Sequence, residues 1–227
     1  MQSAMYTLRA VDRREEVEPR IDFYNSNPAP FLLPRPAVDF EKAIERGQHF
    51  IVELDNTILA ASGIFDYGNG SGPGEYVEFS ETLVLPKLQG FGLQRLFFRL
   101  RLASMISSQG PSIRATTAID QGNRASVSST LDLGFELWLN PIPEAYESCP
   151  TCPHKPKDQK CCCNFYQLPL EKAKVAISEM LTESATRKIK LRNRHNDEIT
   201  LDSARCQAIT RDDSRRALAD FVSGNTW

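Results

Sequence analysis

The hydrophobic pattern changes period several times along the chain. MYTLRAV (Met5–Val11) predicts a short first strand, and the charged run Asp12–Tyr24 is compatible with a helix. NSNPAPFLLPRP (Asn25–Pro36) is rich in proline and predicts a loop. Val38–Gly47 predicts a second helix closed by its glycine. HFIVELDNTILAASGIF predicts a hairpin, with His49–Leu54 and Ile58–Phe65 flanking a turn at Asp55-Asn56. After the flexible turn Asp66–Glu75, YVEFSETLVL (Tyr76–Leu85) predicts a fourth strand. Leu93, Leu96, Phe97, Leu100 and Met105 then recur at helical spacing, predicting a long helix over about Leu93–Ser108 with one buried face. Arg95, Arg99 and Arg101 read as its solvated side.

Ser112–Ile119 predicts a fifth strand, Asn123–Leu133 a short helix ended by Gly134, Phe135–Asn140 a sixth strand and Asn164–Leu170 a seventh. A helix over Glu171–Leu181, a hairpin over Lys188–Asp202 turning at Asn196-Asp197, and a last helix over Asp212–Val222 complete the pattern. The expected organisation is a first domain over residues 1–170, containing a cysteine-rich loop at 149–163, and a helical and hairpin extension over 171–227.

Composition narrows the function classes. At 227 residues, 41% hydrophobic and 25% charged, the chain has ordinary globular values. A net charge of -2 argues against a general nucleic-acid or membrane-surface protein. No apolar run approaches the roughly 20 residues of a membrane helix, and the N-terminal residues lack a signal-peptide core. A cytoplasmic protein is expected, which makes six cysteines notable. In a reducing compartment a cysteine cluster suggests a metal site over a disulfide framework.

The most informative stretch is VLPKLQGFGLQRLFFRLRLA (Val84–Ala103). An apolar strand runs into a turn bearing Gly90 and Gly92, and a helix starts with no visible capping residue. Glycines let the backbone approach a ligand closely, and a helix start favours anions. The turn is a phosphate-cradle candidate, or a plain strand-to-helix turn. It is not a Walker loop, since no Gly-Lys-Ser/Thr follows. The third glycine of a dinucleotide fingerprint would fall at Arg95, so that signature fails too.

Element order and two motifs together resemble the GNAT superfamily of acyl-CoA-dependent N-acetyltransferases. The family's Gln/Arg-x-x-Gly-x-Gly/Ala follows its fourth strand, and here the segment reads Gln89-Gly90-Phe91-Gly92-Leu93-Gln94. Its second signature, an asparagine, a small residue three later and a Gly-Phe pair, matches Asn123, Ser126, Gly134 and Phe135. The resemblance spans roughly Tyr6–Leu170. It implies an α/β (α+β) fold, with a mixed, mainly antiparallel central sheet flanked by helices. It implies acetyl-CoA as cofactor, its pyrophosphate held by backbone N–H groups of Gln89, Gly90, Phe91, Gly92, Leu93 and Gln94. The acyl arm would lie by Thr82, Leu83 and Val84, between splayed fourth and fifth strands. Asn123 and Ser126 would touch that arm or the phosphates. Gln94 departs from the family's usual small residue.

Acetyl transfer to an amine needs a proton acceptor, donors for the oxyanion and a proton for the leaving thiolate. Glu78 falls where some histone-acetylating relatives keep a general base, and Glu81 is the second candidate. On a regular strand the two face opposite sides, unless a bulge intervenes. Many relatives place an acidic tyrosine seven residues after the asparagine, where this chain has Thr130.

ESCPTCPHKPKDQKCCCNFY carries Cys149, Cys152 and the run Cys161–Cys163. Its spacing resembles a structural zinc knuckle with Cys149, Cys152, Cys161 and Cys163 as ligands and His154 as a substitute; thiols in redox or free form and disulfides are the alternatives. In the resembled fold this connection borders the acceptor pocket, and Phe31, Leu32 and Leu33 of the proline-rich loop would line the other wall or anchor it. The expected partner is a small-molecule or peptide primary amine, with no membrane or nucleic acid. The superfamily's shared sheets and swapped C-terminal segments leave a homodimer open. A GNAT-fold module that binds CoA or a protein partner without turnover is the other reading, favoured by Thr130 and Gln94. A nucleic-acid-binding zinc ribbon is the third, which the acidic balance opposes.

Overall fold

A computed structural model describes residues 5–29, 31–32, 35–66, 76–110, 114–139, 163–183, 188–206 and 210–224. Their strands form one mixed sheet. In chain order they are β1 (Met5–Val11), β2 (His49–Leu54), β3 (Thr57–Asp66), β4 (Tyr76–Val84), β5 (Arg114–Asp120), β6 (Glu136–Leu137), β7 (Cys163–Gln167), β8 (Lys188–Arg192) and β9 (Glu198–Arg205). Across the sheet the order is β6-β7-β5-β4-β3-β2-β1-β9-β8. Only β1–β9 and β4–β5 are parallel, so the sheet is mainly antiparallel, as expected. Helices α1 (Val17–Ser26), α2 (Ala37–Glu45), α3 (Leu93–Gln109), α4 (Arg124–Asp132), α5 (Leu170–Glu183) and α6 (Asp212–Ser223) flank it.

Strand alternation gives the sheet two apolar faces. Ile51, Ala61 and Phe65 pack under α1 and α2 with Phe23, Phe40 and Ile44. Phe50, Val52, Ala60 and Ile64 belong to the larger cluster on the other face, with Phe97 and Phe98 of α3. Burying each such side chain contributes roughly 1.5–3 kcal/mol. The helical spacing read along α3 is therefore its packing face. Arg101 departs from expectation: it is buried, not solvated, and its guanidinium lies 4.8 Å over the Phe79 ring. Its Nη1 donates to the Ser80 carbonyl at 3.4 Å. Burial pulls its pKa down to about 9.

The chain beyond Leu170 joins the same sheet and core. β9 pairs with β1, and Ile177 and Met180 of α5 share the larger cluster with Leu218 and Phe221 of α6. The β8–β9 turn is held by Asn193, whose Oδ1 accepts from the amides of His195 and Asp197. Among the described residues no helix is long and apolar enough to cross a membrane.

Candidate functional site

Three features lie along β4 and the turn that follows it. The first is a gap. β4 and β5 pair only from Tyr76↔Arg114 to Glu78↔Thr116, although β4 runs on to Val84 and β5 to Asp120. β4 stays paired to β3 as far as Val84. One edge of β4 beyond Glu78 is thus left without ladder bonds to β5, which is the splay expected of these strands. Thr82, Leu83 and Val84 lie along this segment, half-buried. The Thr82 hydroxyl is 2.7 Å from that of Ser62.

The second is the glycine turn. After a 3-10 turn at Pro86–Leu88, Gly90 and Gly92 adopt φ values of 81° and 78°. Gly92 is the N-cap of α3, with no side chain capping the helix start. The first amides of a helix lack intrahelical partners and carry partial positive charge. No acidic residue stands in the first turn to oppose an anion. A β-carbon on Gly92 would meet nothing within 4 Å, so the space beside it is open to a ligand. These donors and this opening fit a pyrophosphate. Gln89 braces the turn by donating from Nε2 to the Val84 carbonyl at 3.0 Å. Phe91 and Leu93 are buried anchors, whereas Gln94 is half-buried. The C-terminal hairpin reaches this turn as well: the Asn193 β-carbon lies 3.9 Å from where one on Gly90 would stand.

Asn123 and Ser126 sit beyond the end of β5. Asn123 caps α4, its Oδ1 accepting from the Ser126 amide at 3.2 Å, which explains the three-residue spacing of that motif. Asn123→Ala is expected to cost about 1 kcal/mol of stability, read as a lower denaturant midpoint. Thr130 is buried, and its carbonyl accepts from the Phe135 amide at 3.2 Å, so its place is in the helix end.

The third feature is a carboxylate pair. A register shift between β3 and β4 puts Ala61↔Leu83 next to Gly63↔Ser80, one extra residue on β4. Glu81 lies in this bulge with φ of 54°, a strained value for a residue with a β-carbon. The bulge swaps the faces: Val77 and Phe79 pack toward α3, while Leu83 packs toward α1 and α2. It brings Glu81 to the side of Glu78. Arg35 binds both, donating from Nε to Glu81 Oε1 at 2.9 Å and from Nη2 to Glu78 Oε2 at 2.5 Å. Its guanidinium stacks 4.3 Å from the Phe65 ring centroid. Gly63 makes room for that ring, which would lie 2.7 Å from a β-carbon there.

Burial pushes the Glu81 carboxyl up, Arg35 pulls it down, and burial wins, leaving it at about 7. Burial also opposes the charge of Arg35, but there Glu78 and Glu81 outweigh it, and the guanidinium is held above its ordinary range. Both directions agree with a cation that stays charged beside a carboxyl poised to exchange a proton. Tyr24 of α1 donates to the Glu81 carbonyl at 2.6 Å and fixes the bulge from the helix side. Behind it stands buried His49, which burial drives down to about 3, hence neutral.

Two further residues lie at the β5–α4 turn or beside it. Phe31 of the α1–α2 segment lies 3.6 Å from a β-carbon placed on Gly122, in the β5–α4 turn. Cys163 opens β7 opposite Asp120, the last residue of β5 before that same turn. Leu32 is half-buried. Leu33, Cys149, Cys152, His154 and Cys161 lie outside the described residues. Among the described residues no three His, Cys, Asp or Glu side chains are grouped to hold a metal.

Solved structures share this fold. A protein of Salmonella typhimurium described as an acetyltransferase, with its cofactor acetyl-CoA, superposes with a TM-score of 0.51 at 17% identity, over 72% of this chain and 92% of that one. An acetyltransferase of the GNAT family from Streptococcus pneumoniae gives 0.51 at 12% identity, over 71% and 97%. At these identities the likeness establishes the GNAT fold. No family model and no curated protein matches the sequence.

Proposed function

We propose that the protein is an N-acetyltransferase of the GNAT superfamily, moving an acetyl group from acetyl-CoA to a primary amine by direct transfer in a ternary complex. The observation that carries this reading is the pairing of buried Glu81, on the β4 bulge, with half-buried Glu78, where the β4–β5 ladder ends. In this reading the amides from Gln89 to Gln94 hold the pyrophosphate, and Thr82, Leu83 and Val84 flank the acyl arm. Ser126 and the side-chain amide of Asn123 border the same arm. When bound there, acetyl-CoA supplies an activated thioester carbonyl.

Glu81 acts as general base, directly or through one water, taking a proton from the acceptor ammonium so that its nitrogen can attack. Glu78 accepts from Arg35 and keeps that guanidinium beside the base. β4 amides along the unpaired edge donate to the oxyanion. Thr130 is buried and weakly acidic, so water carries the second amine proton to the departing sulfur. A base near neutrality is well matched to this work. Titrating the protein with acetyl-CoA in a calorimeter tests the cofactor assignment: micromolar affinity is expected, and no heat of binding would refute it.

The cysteine segment completes the acceptor wall. Cys149, Cys152, Cys161 and Cys163 would hold a structural zinc ion that staples a loop with no core of its own. The protein purified without chelator is then expected to contain about one zinc per chain by mass spectrometry, and Cys149→Ser to lose it. A metal-free wild type would remove the ion from the account and leave the thiols to other chemistry. The second reading, a CoA-binding module without turnover, takes its support from buried Thr130, and amine-dependent thiol release separates the two.

A further inference from the structure

We propose that Arg35 is a positioning residue for the base: it ties Glu81 in the bulge to Glu78 before it and sets the pH at which Glu81 accepts a proton. The inference rests on the reading of Glu81 as the base, but its own evidence is geometric. Arg35 belongs to the proline-rich segment before α2, yet its side chain reaches across to β4, where it is only 17% exposed. It uses two different nitrogens on two different carboxylates. A guanidinium can do this because its donors form a rigid planar fork, and the Phe65 ring under it holds the plane.

The charges around Glu81 are few, and each has a direction. Arg35 favours the ionised form, and Glu78 disfavours it. Asp39 of α2 lies 4.0 Å from Arg35 Nη1 and reinforces the cation. From α1, Tyr24 is neutral, since burial and Glu81 raise its hydroxyl well above the usual range. His49 from β2 is neutral behind it. Arg101 from α3 bonds the neighbouring Ser80 carbonyl and feels the charge of Glu78, without a hydrogen bond to either carboxylate. Arg35 is therefore the cation in direct contact with the pair. Removing it leaves Glu81 beside the Glu78 carboxylate without that cation, and Glu81 must ionise at higher pH. Removing Glu78 takes away the like charge, and Glu81 must ionise at lower pH. A purely structural role predicts neither movement.

The pH titration of the Glu81 carboxyl carbon, followed by NMR in glutamate-labelled protein and assigned with Glu81→Gln, reads this without requiring turnover. The midpoint in the wild type is expected near 7. Arg35→Met is expected to raise it by about one pH unit or more, and Glu78→Gln to lower it by a similar amount. Arg35→Lys keeps the charge but loses the fork and the stacking, so its midpoint falls between wild type and Arg35→Met. Should Arg35→Met not fold, the lysine and Glu78→Gln variants carry the test. Unmoved midpoints in the folded variants would overturn the role of Arg35. Full turnover by Glu81→Gln would instead overturn the assignment of the base, whatever the midpoints do.

Discussion

Glu81→Gln is expected to lower kcat by about 100-fold or more while leaving acetyl-CoA affinity close to wild type. The substitution keeps the shape of the side chain and deletes its ability to accept a proton. Glu78 remains to pair Arg35, so the fold should melt within a few degrees of wild type. The sign of the pH dependence follows from the same group. A base works when ionised, and burial holds Glu81 protonated until the pH reaches about 7. Wild-type kcat/KM should rise between pH 6 and pH 8 and then level off. A flat profile through this range, or a glutamine variant with normal turnover, would place the base elsewhere.

Gly92→Glu carries the second large effect. At φ of 78° a side chain strains the backbone by roughly 1–2 kcal/mol. Nothing within 4 Å obstructs it, so the protein should still fold. The new carboxylate would project into the opening proposed for the pyrophosphate, at the positive end of α3. Setting like charges together there should weaken acetyl-CoA binding on the order of 100-fold. Gly92→Ala separates the two causes, because it has the strain without the charge and should lose far less. Equal losses in both would mean that backbone geometry, and not charge, governs the turn.

Much of this architecture was legible in the sequence, because local pattern and global packing agree in it. The Leu93–Met105 spacing predicted α3 almost to its last residue, since the same side chains face the core. The turn glycines were readable because the left-handed conformation at Gly90 and Gly92 suits few other residues. The first helix was harder: Asp12–Tyr24 reads as one element, yet a 3-10 turn at Arg14–Glu16 precedes α1. Among the described residues of Phe135–Asn140, the strand covers two, Glu136–Leu137.

The chemistry was less legible than the fold. Glu78 and Glu81 stood out as carboxylates, but alternation puts them on opposite faces. The bulge that unites them has no glycine or proline on β4 to announce it, and arises from pairing with β3 at Gly63. Arg35 was invisible as a partner, because it lies 46 residues from Glu81 in a stretch read as loop. Arg101 looked like a surface charge, and its burial depends on the Phe79 ring and a carbonyl supplied by β4. Each of these contacts is made between distant segments, for which a linear pattern holds no signal.

The most direct test is amine-dependent release of the CoA thiol, measured for the wild type with acetyl-CoA and a panel of primary amines at pH 8, beside Glu81→Gln. Release that requires an amine, saturates with it and collapses in the glutamine variant is the predicted result. Tight acetyl-CoA binding with no thiol release for any amine would contradict the enzyme and leave a binding module.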